Sequence, residues 1–152
     1  MIRPAATTER VRKHTAERVN RRIDHETRSR VLHYAHYPEQ IHARLAALDR
    51  EWDIERTLQT NASSLVLLGL ALGSLVSPRF RLLTAVVAGS LLIHAIEGWC
   101  PPVPFFRRRG IRTADEIEQE RYALKAVRGD FGNGLGATLE ERAEAALDAV
   151  KG

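Results

Sequence analysis

The sequence predicts an all-α protein built as a transmembrane helical hairpin flanked by amphipathic cytoplasmic helices. Two nearly charge-free stretches carry that expectation. The first runs from Thr57 to Pro78 without an ionisable side chain, and the second from Leu82 to Ile96, interrupted only by His94. Between them lies the tight polar turn Ser77-Pro-Arg-Phe-Arg81. Residues 1–55 and 107–152 stay densely charged, whereas a soluble domain of 152 residues would spread its aliphatic side chains more evenly. The chain therefore divides into a basic, amphipathic N-terminal arm (1–56), a membrane hairpin (57–106) and a C-terminal helical extension (107–152).

A bilayer core of about 30 Å needs about 20 helical residues. The expected spans are 58–77 and 82–97. The second has 15 uncharged residues, about 22 Å of helix, and Arg79 and Arg81 can lengthen it by snorkelling to the headgroups. A soluble hairpin buried in a bundle and a half-inserted hairpin are the alternatives. Arginines set the orientation: Arg44, Arg50, Arg56, Arg107, Arg108, Arg109 and Arg112 flank the spans, against Arg79 and Arg81 in the turn. Seven against two places both termini on the cytoplasmic side. Residues 1–10 contain no apolar central region, so no signal peptide is expected there. The single Cys100 excludes an intrachain disulfide and fits a reducing compartment.

Nine Lys/Arg against four Asp/Glu give the first thirty residues a local charge of +5. That attracts anionic headgroups or nucleic acid, and adjacency to a membrane hairpin favours lipid. Val11, Thr15, Val19, Ile23, Thr27 and Val31 fall four apart, a narrow helical stripe too poor to fold alone and in need of a membrane or a partner. Tyr37-Pro38 ends that helix. Ile41, Leu45, Leu48 and Trp52 form a 4-3-4 seam on a second helix leading towards the first span.

After the hairpin comes Gly98-Trp-Cys-Pro-Pro-Val-Pro-Phe-Phe-Arg-Arg-Arg-Gly110, where three prolines predict an extended path. Trp99, Phe105 and Phe106 suit the membrane interface, with Arg107, Arg108 and Arg109 just outside it. Thr113 to Glu116 reads as a capping box. Its helix carries Ile117, Tyr122, Leu124 and Val127 and stops at Gly129. Phe131 to Gly136 reads as a connector, and Thr138 to Glu141 caps a last Ala-rich helix.

Few motifs point to chemistry. Gly69 and Gly73 form a GxxxG, and Ala85 and Gly89 offer a matching small-residue face for packing between spans or copies. His94, Glu97 and Cys100 recur at spacing three at the end of the second span, a candidate thiol or metal site at the membrane boundary. Alternatively, His94 and Glu97 are a polar pair anchoring the helix end and Cys100 packs. His33, His36 and His42, with Tyr34 and Tyr37, form a second cluster better suited to an aromatic belt than to a metal. No Ser/His/Asp set, HExxH or phosphate loop is present, so no catalytic residue, metal or cofactor is assigned.

Trp52-Asp-Ile-Glu-Arg-Thr-Leu-Gln-Thr-Asn-Ala62, the two spans and His94-Ala-Ile-Glu-Gly-Trp-Cys-Pro101 resemble the bacterial YgaP-like inner-membrane domain family over roughly residues 51–104. Residues 116–131 resemble C-terminal extensions in a proteobacterial branch of it. The resemblance implies a two-helix hairpin with a Cys-Pro after its second helix, self-association, and the bacterial inner membrane. The rhodanese domain that accompanies the hairpin in the family's namesake is absent from this sequence, so sulfurtransferase activity is not implied. The expected function is that of a small membrane anchor or scaffold. It self-associates or joins a larger membrane complex, with anionic lipid as a partner. Thiol, sulfur or metal chemistry around Cys100 is the competing expectation.

Overall fold

The computed structural model describes residues 7–130 together with 138, 141, 143–145 and 147–148. The expected connector at 131–136 and the residues before Thr7 lie outside the described residues. Every regular element among them is helical. In chain order they are α1 (Thr7–Lys13), α2 (Glu17–His36), a 3-10 turn (Pro38–Gln40), α3 (Ile41–Leu48), α4 (Ile54–Leu75), α5 (Phe80–Glu97), α6 (Val103–Arg108) and α7 (Ala114–Arg128).

The compact units do not follow the linear division into arm, hairpin and extension. One unit comprises residues 1–19 and 52–113, the other residues 20–51 and 114–152. The reason lies in the N-terminal stripe, all six positions of which are buried by this chain itself. Val11, Thr15 and Val19 belong to the first unit, and Ile23, Thr27 and Val31 to the second. The partner that the stripe requires is therefore intramolecular.

In the first unit, α4 and α5 form an antiparallel hairpin with α1 against α5 and α6 against α4. Val11, Ile54, Leu58, Cys100 and Val103 make a small core, with Phe106 and Ile111 packed on it. The stripe is not one helix. The Thr15 hydroxyl donates to the Val11 carbonyl at 2.7 Å, while the Thr15 amide turns to Arg12 at 3.1 Å. A side chain thus takes the acceptor that a continuing helix would use, and α1 ends. The seam ending at Trp52 also breaks. Asp53 adopts an extended backbone and its carboxylate accepts the Arg56 amide at 2.7 Å, starting α4 afresh and leaving Trp52 exposed before it.

Both hairpin helices are long and apolar enough to cross a membrane. Three polar side chains on α4 bond back to the preceding turn: Thr57 donates to the Asp53 carbonyl, Asn61 to Thr57 and Ser64 to Thr60, at 2.7–2.8 Å. Gly98 closes α5 in the left-handed conformation (φ 72°), its amide returning to His94 at 2.8 Å. The extended path expected beyond it is instead helix α6. Pro102 holds the N-cap and Pro104 sits in the first turn, where a missing N–H costs nothing.

The second unit packs α3 against α7. Its core contains Val31, Ala35, Ile41, Leu45 and Leu48 with Ile117, Leu124 and Val127, and includes Ala143 and Leu147 further on. Three of the four seam residues are thus buried as expected. Glu120 is fully buried between two guanidinium groups: Arg30 Nε donates at 3.0 Å and Arg44 Nε at 2.7 Å. Gly129 ends α7 with φ 92°. The second capping box forms in both directions at 3.1 Å, from the Thr138 amide to Glu141 and from the Glu141 amide to the Thr138 hydroxyl.

Candidate functional site

The sequence-derived candidates converge on two places in the hairpin unit: the α4–α5 seam, and the end of the hairpin opposite its turn, called here the base. At the seam, Gly69 and Gly73 are buried where α5 crosses. A methyl group on Gly69 would lie 2.6 Å from Thr84 Oγ1 and 3.3 Å from the Phe80 carbonyl oxygen. One on Gly73 would lie 2.8 Å from Arg81 Cγ. The GxxxG therefore sits where the two helices approach closely. Its partners are Phe80, Arg81 and Thr84, not the small-residue face expected to match it. Ala85 and Gly89 point outward, and no described residue lies within 4 Å of a methyl on Gly89. The helical phase explains this, since Thr84 takes the inner position and its neighbour Ala85 is rotated away.

At the base, the expected trio does not assemble. His94 is buried and Glu97, three residues on, is exposed. His94 Nε2 instead meets Glu55 Oε2 of α4 at 3.0 Å. Among the described residues, Glu55 Oε1 and His94 Nδ1 are buried without a hydrogen-bond partner. Glu55 was missed as a site residue, although the antiparallel register carries the signal. Once Gly73 and Gly69 face the first turns of α5, the first turn of α4 must face the last turn of α5. No group of three His, Cys, Asp or Glu side chains suited to a metal occurs among the described residues. His33 packs against the rings of Tyr34 and Tyr37, with centroids at 5.2 and 4.9 Å, and His36 is bound to the Leu32 carbonyl oxygen.

Cys100 lies in the core of the hairpin unit. Burial pushes its thiol pKa up and the charge of Glu55 pushes the same way, against a smaller opposing hydrogen bond from the Val103 backbone. A thiol so placed stays protonated and unreactive at neutral pH. That argues against the activated cysteine in the competing expectation.

The interface residues separate by phase on and around α6. Trp99, Phe105, Arg108 and Arg109 are exposed, and Phe106 turns towards the core. Arg107 does not stand with its neighbours outside. It is fully buried, donating from Nε to the Thr15 hydroxyl at 3.3 Å and from Nη1 to the Ile111 carbonyl at 3.1 Å. Arg109 stacks on Phe105 at 4.3 Å, and Arg56 on the exposed Trp52 at 4.4 Å. Aromatic rings with a guanidinium over the face thus stand beside both ends of the hairpin base. Between α4 and α5 an apolar groove of about 400 Å³ runs from Leu65 and Val87 to Cys100 and Phe106. Comparison with protein families, with curated proteins and with solved structures returned no match.

Proposed function

We propose that this protein is a small integral membrane anchor or scaffold of the bacterial inner membrane. Its hairpin spans the bilayer with both termini cytoplasmic, and it self-associates or serves as an accessory subunit of a membrane complex. The apolar surface of the hairpin carries this proposal. Leu75 is 85% exposed, Leu82 70%, Leu67 66% and Leu92 63%, and neither helix buries much of its length within the chain. A soluble core helix hides such side chains, and contiguous exposed apolar area on this scale calls for lipid or protein. At 22 and 18 residues the helices are about 33 and 27 Å long, matched to a core of about 30 Å.

The outward face at Ala85 and Gly89 is available to a second copy, because small residues let helix backbones approach closely in lipid. Seven flanking arginines against two in the turn support the orientation. The YgaP-like resemblance agrees with hairpin topology and self-association.

Single cysteines placed at Ser77 and at Asp130 in a Cys100→Ser background test the topology. In intact cells an impermeant maleimide labels the Ser77 position only, and the Asp130 position reacts after permeabilisation. The reverse pattern overturns the orientation, and extraction by alkaline carbonate overturns the spans. Cross-linking in native membranes tests assembly: a strictly monomeric chain with no co-purifying partner refutes it.

A further inference from the structure

We infer that the turn of the hairpin holds the phosphates of anionic phospholipids through Arg79 and Arg81. This inference rests on the membrane placement proposed above and names the lipid partner at the end opposite the base. Both arginines are exposed, and among the described residues neither has a hydrogen-bond or ion-pair partner. No Asp or Glu occurs between Glu55 and Glu97. Along the hairpin the nearest carboxylates are thus a helix length away, about 33 Å down α4 and about 27 Å down α5. With a Debye length of about 8 Å at physiological salt, neither carboxylate balances the turn. The two positive charges find their counter-ions outside the hairpin.

Apolar exposure chooses the occupant. Leu75, Leu82 and Val76 are the three most exposed large apolar side chains among the described residues, and all three flank the turn. A free anion in water would leave them solvated. The headgroup layer sets phosphate beside the guanidinium groups and hydrocarbon beside the leucines at once. The amides of the turn are already engaged: those of Phe80, Arg81 and Leu82 donate to the Ser77, Pro78 and Arg79 carbonyls, each at 3.1 Å. Binding therefore falls to the guanidinium groups, whose planar donors suit phosphate oxygens. Positions two apart on a helix do not share a face, so Arg79 and Arg81 take two phosphates rather than clamping one. A zwitterionic headgroup carries its own ammonium beside the phosphate, which leaves anionic lipid as the better counter-ion.

Phe80, exposed between the two arginines, is the place for a reporter. Full-length Trp52→Phe/Trp99→Phe/Phe80→Trp protein carries its only indole there. It is placed in phosphatidylcholine nanodiscs containing phosphatidylglycerol or phosphatidylcholine brominated near the glycerol end, at equal mole fraction. Brominated phosphatidylglycerol quenches the indole more strongly, and the preference falls about fivefold for each of Arg79→Gln and Arg81→Gln. Arg109→Gln, on α6 at the opposite end, leaves it unchanged. Native mass spectrometry reads the same site without the reporter: the unsubstituted chain released from these discs retains more phosphatidylglycerol than Arg79→Gln/Arg81→Gln.

Equal quenching by the two lipids with both arginines in place overturns the headgroup assignment. A preference that survives Arg79→Gln/Arg81→Gln, or that Arg109→Gln lowers as much as Arg81→Gln does, overturns the turn as its seat. Absence of quenching by either lipid means that the turn does not lie at a bilayer, which refutes the membrane placement itself.

Discussion

Adding one methyl group at each of three glycines separates the packing inside the hairpin from any packing between copies. At Gly69 the new carbon would lie 2.6 Å from Thr84 Oγ1, with backbone atoms of Phe80 and Thr84 both at 3.3 Å. Thr84 has a short branched side chain and the backbone cannot rotate away, so the helices must separate by several tenths of an ångström. Overpacking of this kind costs about 1–3 kcal/mol, partly offset by the better helix propensity of alanine, up to about 1 kcal/mol. Gly69→Ala is therefore destabilising by about 1–2 kcal/mol.

At Gly73 the new carbon would lie 2.8 Å from Arg81 Cγ, close to the backbone, with the Arg81 amide nitrogen at 3.3 Å, so Gly73→Ala is destabilising as well. Gly89→Ala meets no described residue and is neutral or slightly stabilising for the hairpin. Unfolding in mixed micelles titrated with sodium dodecyl sulfate, followed by emission of Trp52 and Trp99, orders the three variants. Cross-linking in membranes then reads assembly, which Gly89→Ile weakens if the outer face joins two copies. Equal unfolding midpoints for Gly69→Ala and Gly89→Ala refute the packing argument.

Three further outcomes follow from the structure. Glu120→Ala leaves Arg30 and Arg44 facing each other over an emptied site. Removing one partner of a buried ion pair costs about 3–5 kcal/mol, and the two arginine side chains, 31% and 18% exposed, regain some hydration. A loss of about 3 kcal/mol is thus expected, seen as roughly hundredfold faster hydrogen exchange in α3 and α7, and unchanged protection of α7 would refute it. Gly98→Ala combines a positive φ with a methyl placed 2.3 Å from Arg10 Cβ, so α1 is displaced and trypsin cleaves faster at Arg10 and Lys13, whereas Gly110→Ala, equally positive in φ but in open space, leaves that cleavage unchanged. Cys100 alkylation in the folded protein has its midpoint above the free-thiol value of about 8.5, and Glu55→Gln moves it down, because the Glu55 charge helps to raise it. Since the folded state holds its proton longer than the unfolded chain, this group's stabilising effect is full below the unfolded pKa and is lost as pH rises through the folded one. A midpoint at or below the free value would show an activated thiol.

The sequence by itself determined the elements whose cause is local. Two charge-free runs around Ser77–Arg81 require two apolar helices and a turn. Pro38 ends α2 and Gly129 ends α7 through backbone geometry that neighbours do not alter, and Thr138 and Glu141 cap each other at fixed spacing. The stripe from Val11 to Val31 announced its own burial, because apolar residues four apart on a helix must be covered by something.

What covers it was decided only in three dimensions. Charge-rich α7 shares a unit with most of α2, and Glu120 becomes the buried counter-ion of Arg30 and Arg44. Arg107 goes inward while Arg108 and Arg109 stay out, because the phase of one turn of α6 is fixed by Val103 and Phe106 packing on Ile54 and Leu58. His94 chose Glu55 over Glu97 for a related reason. Spacing along one helix puts two side chains on a common side, but the neighbouring helix determines which side is buried, and a buried imidazole must find its partner there.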